Sequence, residues 1–162
     1  SNKATEMITE IYVPRSALVS FMANVRADFR ANDVDLIYGT IRLIERDDES
    51  MLAWARERWA CIIFNLHVVH TKSGLAQAAA AFRRLIDYAI RVGGSYYLTY
   101  HRWGTRAQVE ACYPQFREFL RQKRRYDPEE RFQSDWYRHY RSMFATDLGA
   151  AADDSHDLAR TA

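Results

Sequence analysis

Between Met7 and Gly104 the apolar residues change period along the chain, from every second position to every third or fourth and back again. That order restricts the fold more than any single motif does. Met7 to Val13, rich in Ile, Thr, Tyr and Val, predicts a strand ended by Pro14. Ser16 is placed to cap a helix carrying Leu18, Phe21, Met22, Val25 and Phe29, with Asn32-Asp33 as its stop. Val34 to Glu45 predicts a second strand. A solvated connection over Arg46 to Ser50 and a helical turn over 51–58 lead to a third strand, Trp59 to Val69. Leu75, Ala78, Ala79, Phe82, Leu85, Ile86 and Ile90 mark a second long helix, closed by Gly93. Gly93 to Gly104 then alternates aromatic and polar residues, as a fourth strand would.

Strand, helix, strand, strand, helix, strand is the split βαβ order of a ferredoxin-like α+β sandwich. In that fold both helices cover one face of an antiparallel sheet. Further helices are expected after Gly104: one capped by Thr105, one opened by Tyr113-Pro114, one started by Asp127-Pro128, and one holding Trp136, Tyr137, Tyr140 and Phe144. The expectation is a single domain over 1–146, followed by an acidic, Ala-rich, disordered tail over 147–162. The net charge of +2 gives no general attraction to polyanions, and no apolar run reaches membrane-spanning length. Cys61 and Cys112 fit buried thiols of a reducing, cytoplasmic compartment, or else one disulfide. No signal peptide is recognisable. The chain opens Ser1-Asn2 rather than with Met, so it is expected to be a processed segment of a longer polypeptide.

Side-chain parity assigns the chemistry to one sheet face. If Ile62, Phe64, Leu66 and Leu98 point to the helices, then Asn65, His67, Tyr97, Thr99 and His101 point away from them. Thr40 and Arg42 join them, because Ile41 and Leu43 must turn inward. This gathering reads either as a solvated face or as a contact surface for a ligand. His67 and His70 point to opposite faces, so no metal site is expected. There is no GxSxG elbow and no glycine-rich phosphate loop. The basic run Gln122-Lys123-Arg124-Arg125 reads as the solvated end of a helix, and the aromatic pattern of an RNA-binding sheet is absent.

Tyr38-Gly-Thr-Ile-Arg42, Asn65-Leu-His67, Leu98-Thr-Tyr-His-Arg-Trp-Gly104 and Lys123 with Asp127-Pro128 and Phe132 occur in that order. Together they resemble the C-terminal half of FAD-linked oxidases of the vanillyl-alcohol-oxidase type, in the aldonolactone and alditol oxidase branch. The resemblance covers about residues 5 to 144. It implies a cap, or substrate, domain whose sheet roofs a flavin held by an N-terminal domain of the same polypeptide. It also implies oxidation of an alcohol, lactone or sugar-like substrate by hydride transfer to flavin N5.

In that reading Arg42 stabilises the anionic reduced flavin or a developing alkoxide, and His67 accepts the hydroxyl proton. Thr40, Asn65, Tyr97, Thr99, His101 and Arg102 line the substrate. Arg42, Lys123 and Phe132 adjoin the cofactor. Thr40 stands where the family carries Glu, and Thr105 where it carries a catalytic-site Lys, so Arg102 or Arg106 is expected to replace that lysine. Alone the chain is expected to be inactive, and its uncovered face to self-associate weakly. The competing expectation is a stand-alone binding module for a small ligand or RNA.

Overall fold

The computed structural model describes residues 3–148, which divide into two compact units at Tyr113/Pro114. The first is an α+β unit built on a four-stranded antiparallel sheet. Its strands are β1 (Ala4–Pro14), β2 (Leu36–Ile44), β3 (Trp59–Val69) and β4 (Ser95–Tyr96), in the order β2-β3-β1-β4. Helices α1 (Leu18–Ala31) and α2 (Lys72–Arg91) connect them, and α3 (Arg106–Cys112) follows β4.

Cross-strand register fixes which residues share a face. Ile11 opposes Ile62, Thr9 opposes Phe64 and Met7 opposes Leu66 between β1 and β3, while Ile41 opposes Ile62 between β2 and β3. These rows face the helices: Phe64 packs against Phe21 and Phe29 of α1 at ring separations of 6.4 and 5.6 Å. Phe82, Leu85, Ile86 and Ala89 of α2 are buried in the same layer, on β1 and β3. Each large apolar side chain so buried contributes about 1.5–3 kcal/mol, and the helices adhere to this face for that reason.

Local chemistry sets the element ends. The Thr71 hydroxyl accepts the Gly74 N–H at 3.0 Å and caps α2, while Gly93, at φ 76°, carries the chain out of it in the left-handed region. Gly94 follows because a Cβ there would lie 2.1 Å from the Tyr12 carbonyl oxygen. The expected Ser16 cap is absent; a 3-10 turn over Arg15–Ala17 enters α1 instead. Residues 51–58 form no helix. They loop across one end of the sheet, holding Trp54 edge-on to Tyr12 and burying Ala55.

The fourth strand is much shorter than its alternation predicts. Only Ser95 and Tyr96 pair with β1 in a ladder, and a turn begins at Leu98. The His101 ring is the reason. It lies 4.5 Å from Phe82 and stacks on Tyr96, and its Nε2 meets Thr9 Oγ1 at 3.2 Å, all on the helix side. Burying that ring outweighs the continuation of an edge strand.

The second unit holds α4 (Phe116–Tyr126) and α5 (Asp135–Met143). Phe116, Phe119, Trp136, Tyr140 and Phe144 form its aromatic core. Asp127 does not start a helix as expected. Its oxygens take the Arg131 and Phe132 N–H groups at 2.9 and 3.0 Å, and Glu130 stands at φ 51°, which breaks helical geometry. Ser134 caps α5 through the Tyr137 N–H. Leu148 is buried and Asp147 pairs with Arg117, so packing continues beyond 146; the rest of the expected tail lies outside the described residues.

Candidate functional site

The face of the sheet away from α1 and α2 is laid out in rows by register. Arg42, Cys61, Tyr12 and Ser95 form one row across β2, β3, β1 and β4. Thr40, Ile63 and Glu10 form the next, with Tyr97 hydrogen-bonded through its N–H to the Glu10 carbonyl. Tyr38, Asn65 and Ile8 follow, then His67 and Glu6. Parity thus placed Arg42, Thr40, Asn65, His67 and Tyr97 on one face, and the register puts them there.

Proximity is another matter. Arg42 opposes Cys61, and His67 lies six positions further along β3. At 3.4 Å per residue that is about 20 Å. The two residues assigned to one reaction therefore stand at opposite ends of the face. His67 instead borders a cleft of about 390 Å³ with Asn32, Asp35 and Arg84. Asn65 is buried and its amide donates to Glu6 at 2.8 Å.

Thr99 and Arg102 are exposed in the irregular segment after β4. His101 is on the wrong side: it is buried beneath the helices, and burial pushes its pKa down to about 4. Lys123 and Phe132 belong to the second unit. The Lys123 ammonium pairs with Asp127 and lies 4.5 Å from the Tyr137 ring centre, while Phe132 is 80 % exposed. Lys123 thus braces a turn. Arg106, named as a replacement for the missing lysine, pairs with Glu110 at 3.0 Å.

Glu10 is the group that sequence reasoning missed. Its carboxylate is buried at the centre of the face and accepts the Tyr12 hydroxyl at 2.9 Å, the Tyr100 hydroxyl at 3.3 Å and the Cys61 thiol at 3.6 Å. Among the described residues these partners are all neutral. The thiol is pushed up to about 12, first by burial and then by the Glu10 charge, and both phenols are raised for the same two reasons. Arg42 opposes the shift at Cys61 and at Tyr100, so its charge reaches both groups. One signal did exist: Glu is disfavoured in a strand interior, and Glu10 sits mid-strand among Ile8, Thr9, Ile11, Tyr12 and Val13.

The arrangement offers an exposed cation, an exposed phenol at 45 % accessibility and a hydroxyl, over a buried carboxylate. Exposed Tyr38 and half-buried Tyr97 add flat apolar surface. Such a face can cover a planar ring and orient a hydroxyl-bearing molecule between Arg42 and Tyr100. Among the described residues it includes no phosphate-binding loop. The chain matches no protein-family model and no curated protein sequence.

Proposed function

We propose that the unit ending at Tyr113 is the substrate-binding cap domain of an FAD-dependent oxidoreductase. It would act on an alcohol, lactone or sugar-like molecule by hydride transfer to flavin N5. One observation carries the reading: Arg42 and Thr40 of β2 and Tyr97 and Tyr100 after β4 share a helix-free sheet face, with buried Glu10 of β1 between them. A solvated face has no use for a buried carboxylate, which is costly to desolvate. The strand order β2-β3-β1-β4, with both connecting helices on one side, supports a ferredoxin-like architecture for this unit.

In this reading the flavin is held by a further domain of the same polypeptide, and the open face closes over its ring. The flavin supplies the hydride-accepting chemistry. Arg42 stabilises negative charge developing on the substrate oxygen or the reduced ring. Thr40 and Tyr97 orient the substrate. His67, about 20 Å from Arg42 along β3, has no part in the bond-breaking step.

Expression of the complete polypeptide tests the proposal. Visible flavin absorption that bleaches anaerobically on addition of one member of a panel of alcohols, lactones and hydroxy acids is expected. A complete polypeptide that binds no flavin, or a flavin that none of them reduces, overturns it.

A further inference from the structure

This inference rests on the function proposed above and names the group that takes the substrate's proton. Two of the three donors to Glu10 are sealed: Tyr12 and Cys61 are 0 % and 1 % exposed. Tyr100 is different. Its ring is braced edge-on by Tyr97 at 5.1 Å, it is 45 % exposed, and its hydroxyl donates inward to Glu10 Oε1. A phenol that spends its proton inward keeps oxygen lone pairs for a donor arriving from outside. Tyr100 thus joins a buried carboxylate to the open face, and Arg42 of β2, on the same face, extends its positive field to the junction.

We propose that Tyr100 is a catalytic proton acceptor for the hydroxyl of an alcohol bound on the open face, with Glu10 behind it as the final holder of the proton. The ligand O–H bond breaks as its proton bonds to Tyr100 Oη. The Tyr100 O–H bond breaks as that proton bonds to Glu10 Oε1. Tyr100 ends neutral, as it began, and Glu10 becomes a carboxylic acid. The negative charge moves to the ligand oxygen, where Arg42 offsets it. A carboxylate is too weak a base to hold an alkoxide's proton unaided. The transfer therefore keeps step with loss of the carbinol hydride to the oxidised flavin, and the O–H electron pair becomes the second bond of the carbonyl.

This geometry also accounts for the neutral environment of Glu10. A lysine or arginine paired directly with it would hold the carboxylate anionic and oppose its protonation. Three neutral donors meet it instead.

The test uses the complete, flavin-loaded polypeptide, with glycerol, xylitol and benzyl alcohol as probes under anaerobic rapid mixing. With the fastest probe, Tyr100→Phe and Glu10→Gln are each expected to slow flavin reduction by about 10²- to 10⁴-fold. Infrared difference spectra on reduction are expected to gain a protonated-carboxyl band in the wild type that is missing from Glu10→Gln. Melting curves show whether each variant is folded; if either is not, the wild-type infrared band decides. A wild-type rate in folded Tyr100→Phe, or reduction of the wild type without the band, overturns the inference and leaves the proposed function standing. A wild-type flavin that none of the probes reduces removes an alcohol as the substrate, and this inference with it; the lactones and hydroxy acids of the wider panel then decide the proposed function separately.

Discussion

Arg42 and His67 share one face of the sheet, yet His67 lies six positions along β3 from Cys61, the residue opposite Arg42. About 20 Å of strand separates them, more than the reach of both side chains together. A single reacting carbon cannot meet both.

Replacement of His67 by Ala is therefore expected to change the rate of flavin reduction in the complete polypeptide by less than about threefold, well short of the 10²-fold or more that a general base contributes. Rapid mixing with the reducing alcohol measures this. A loss of two orders of magnitude would return His67 to the reaction.

His101 makes the stability of the first unit depend on pH. The Trp103 N–H donates to its Nδ1 and its Nε2 meets Thr9 Oγ1, so the ring sits neutral between them, with Phe82 and Tyr96 on its flanks. Its pKa falls from 6.5 to about 4 on folding, because burial disfavours the charged ring. Between those values the unfolded chain binds the extra proton. Stability from this group is complete above pH 6.5 and is lost as pH falls towards 4, by about 3 kcal/mol. Urea unfolding at several pH values should show this slope, and it should flatten in His101→Phe. An equal slope in the variant would contradict the assignment.

Both cysteines are expected to be inert in the native protein. Burial pushes Cys61 up to about 12 and Cys112 up to about 11, and both are free thiols about 1 % exposed. A thiol reagent at mildly alkaline pH should therefore label neither until denaturant is added, and then label 2 per chain. Rapid labelling of the native protein would show that the open face breathes near Glu10.

Asp28 of α1 and Arg84 of α2 pair at 2.8 Å, with the carboxylate side chain 5 % exposed. Asn32 and Tyr88 also donate to the same oxygen, at 3.3 Å each. Removing the cation strands a buried charge, so Arg84→Met is expected to cost about 3 kcal/mol, and Asp28→Leu in the same chain to restore most of it. Chemical unfolding of the single and double variants decides the point; an undiminished double variant cost would show that packing, not charge, is lost.

The sequence made the sheet readable where period-2 alternation ran unbroken. Trp59 to Val69 matches β3 end to end, and its alternation was enough to place Asn65 and His67 away from the helices. Alternation misled after Tyr96. There Tyr97, Thr99 and His101 continue the pattern of a strand, but the affinity of one imidazole for Phe82 and Thr9 turns the chain to the other side. Parity also carries no information about distance along a strand, which is how Arg42 and His67 came to be joined. Glu10 went unread because a carboxylate in a strand looks like solvated surface until its neighbours are known. Its donors come from positions 12, 61 and 100, and only the folded sheet collects them. Asp127-Pro128 failed for a related reason: its oxygens cap the N–H groups of 131 and 132, a turn with the composition of a helix start.

The most direct measurement is anaerobic flavin reduction in the complete polypeptide carrying Arg42→Ala, with binding of the same alcohol followed separately. In the proposed function the guanidinium offsets charge that develops during reaction, so reduction at saturating alcohol should slow by about 10²- to 10³-fold, with the flavin still bound. Reduction at the wild-type rate would mean that the open face of the sheet is not where the chemistry occurs.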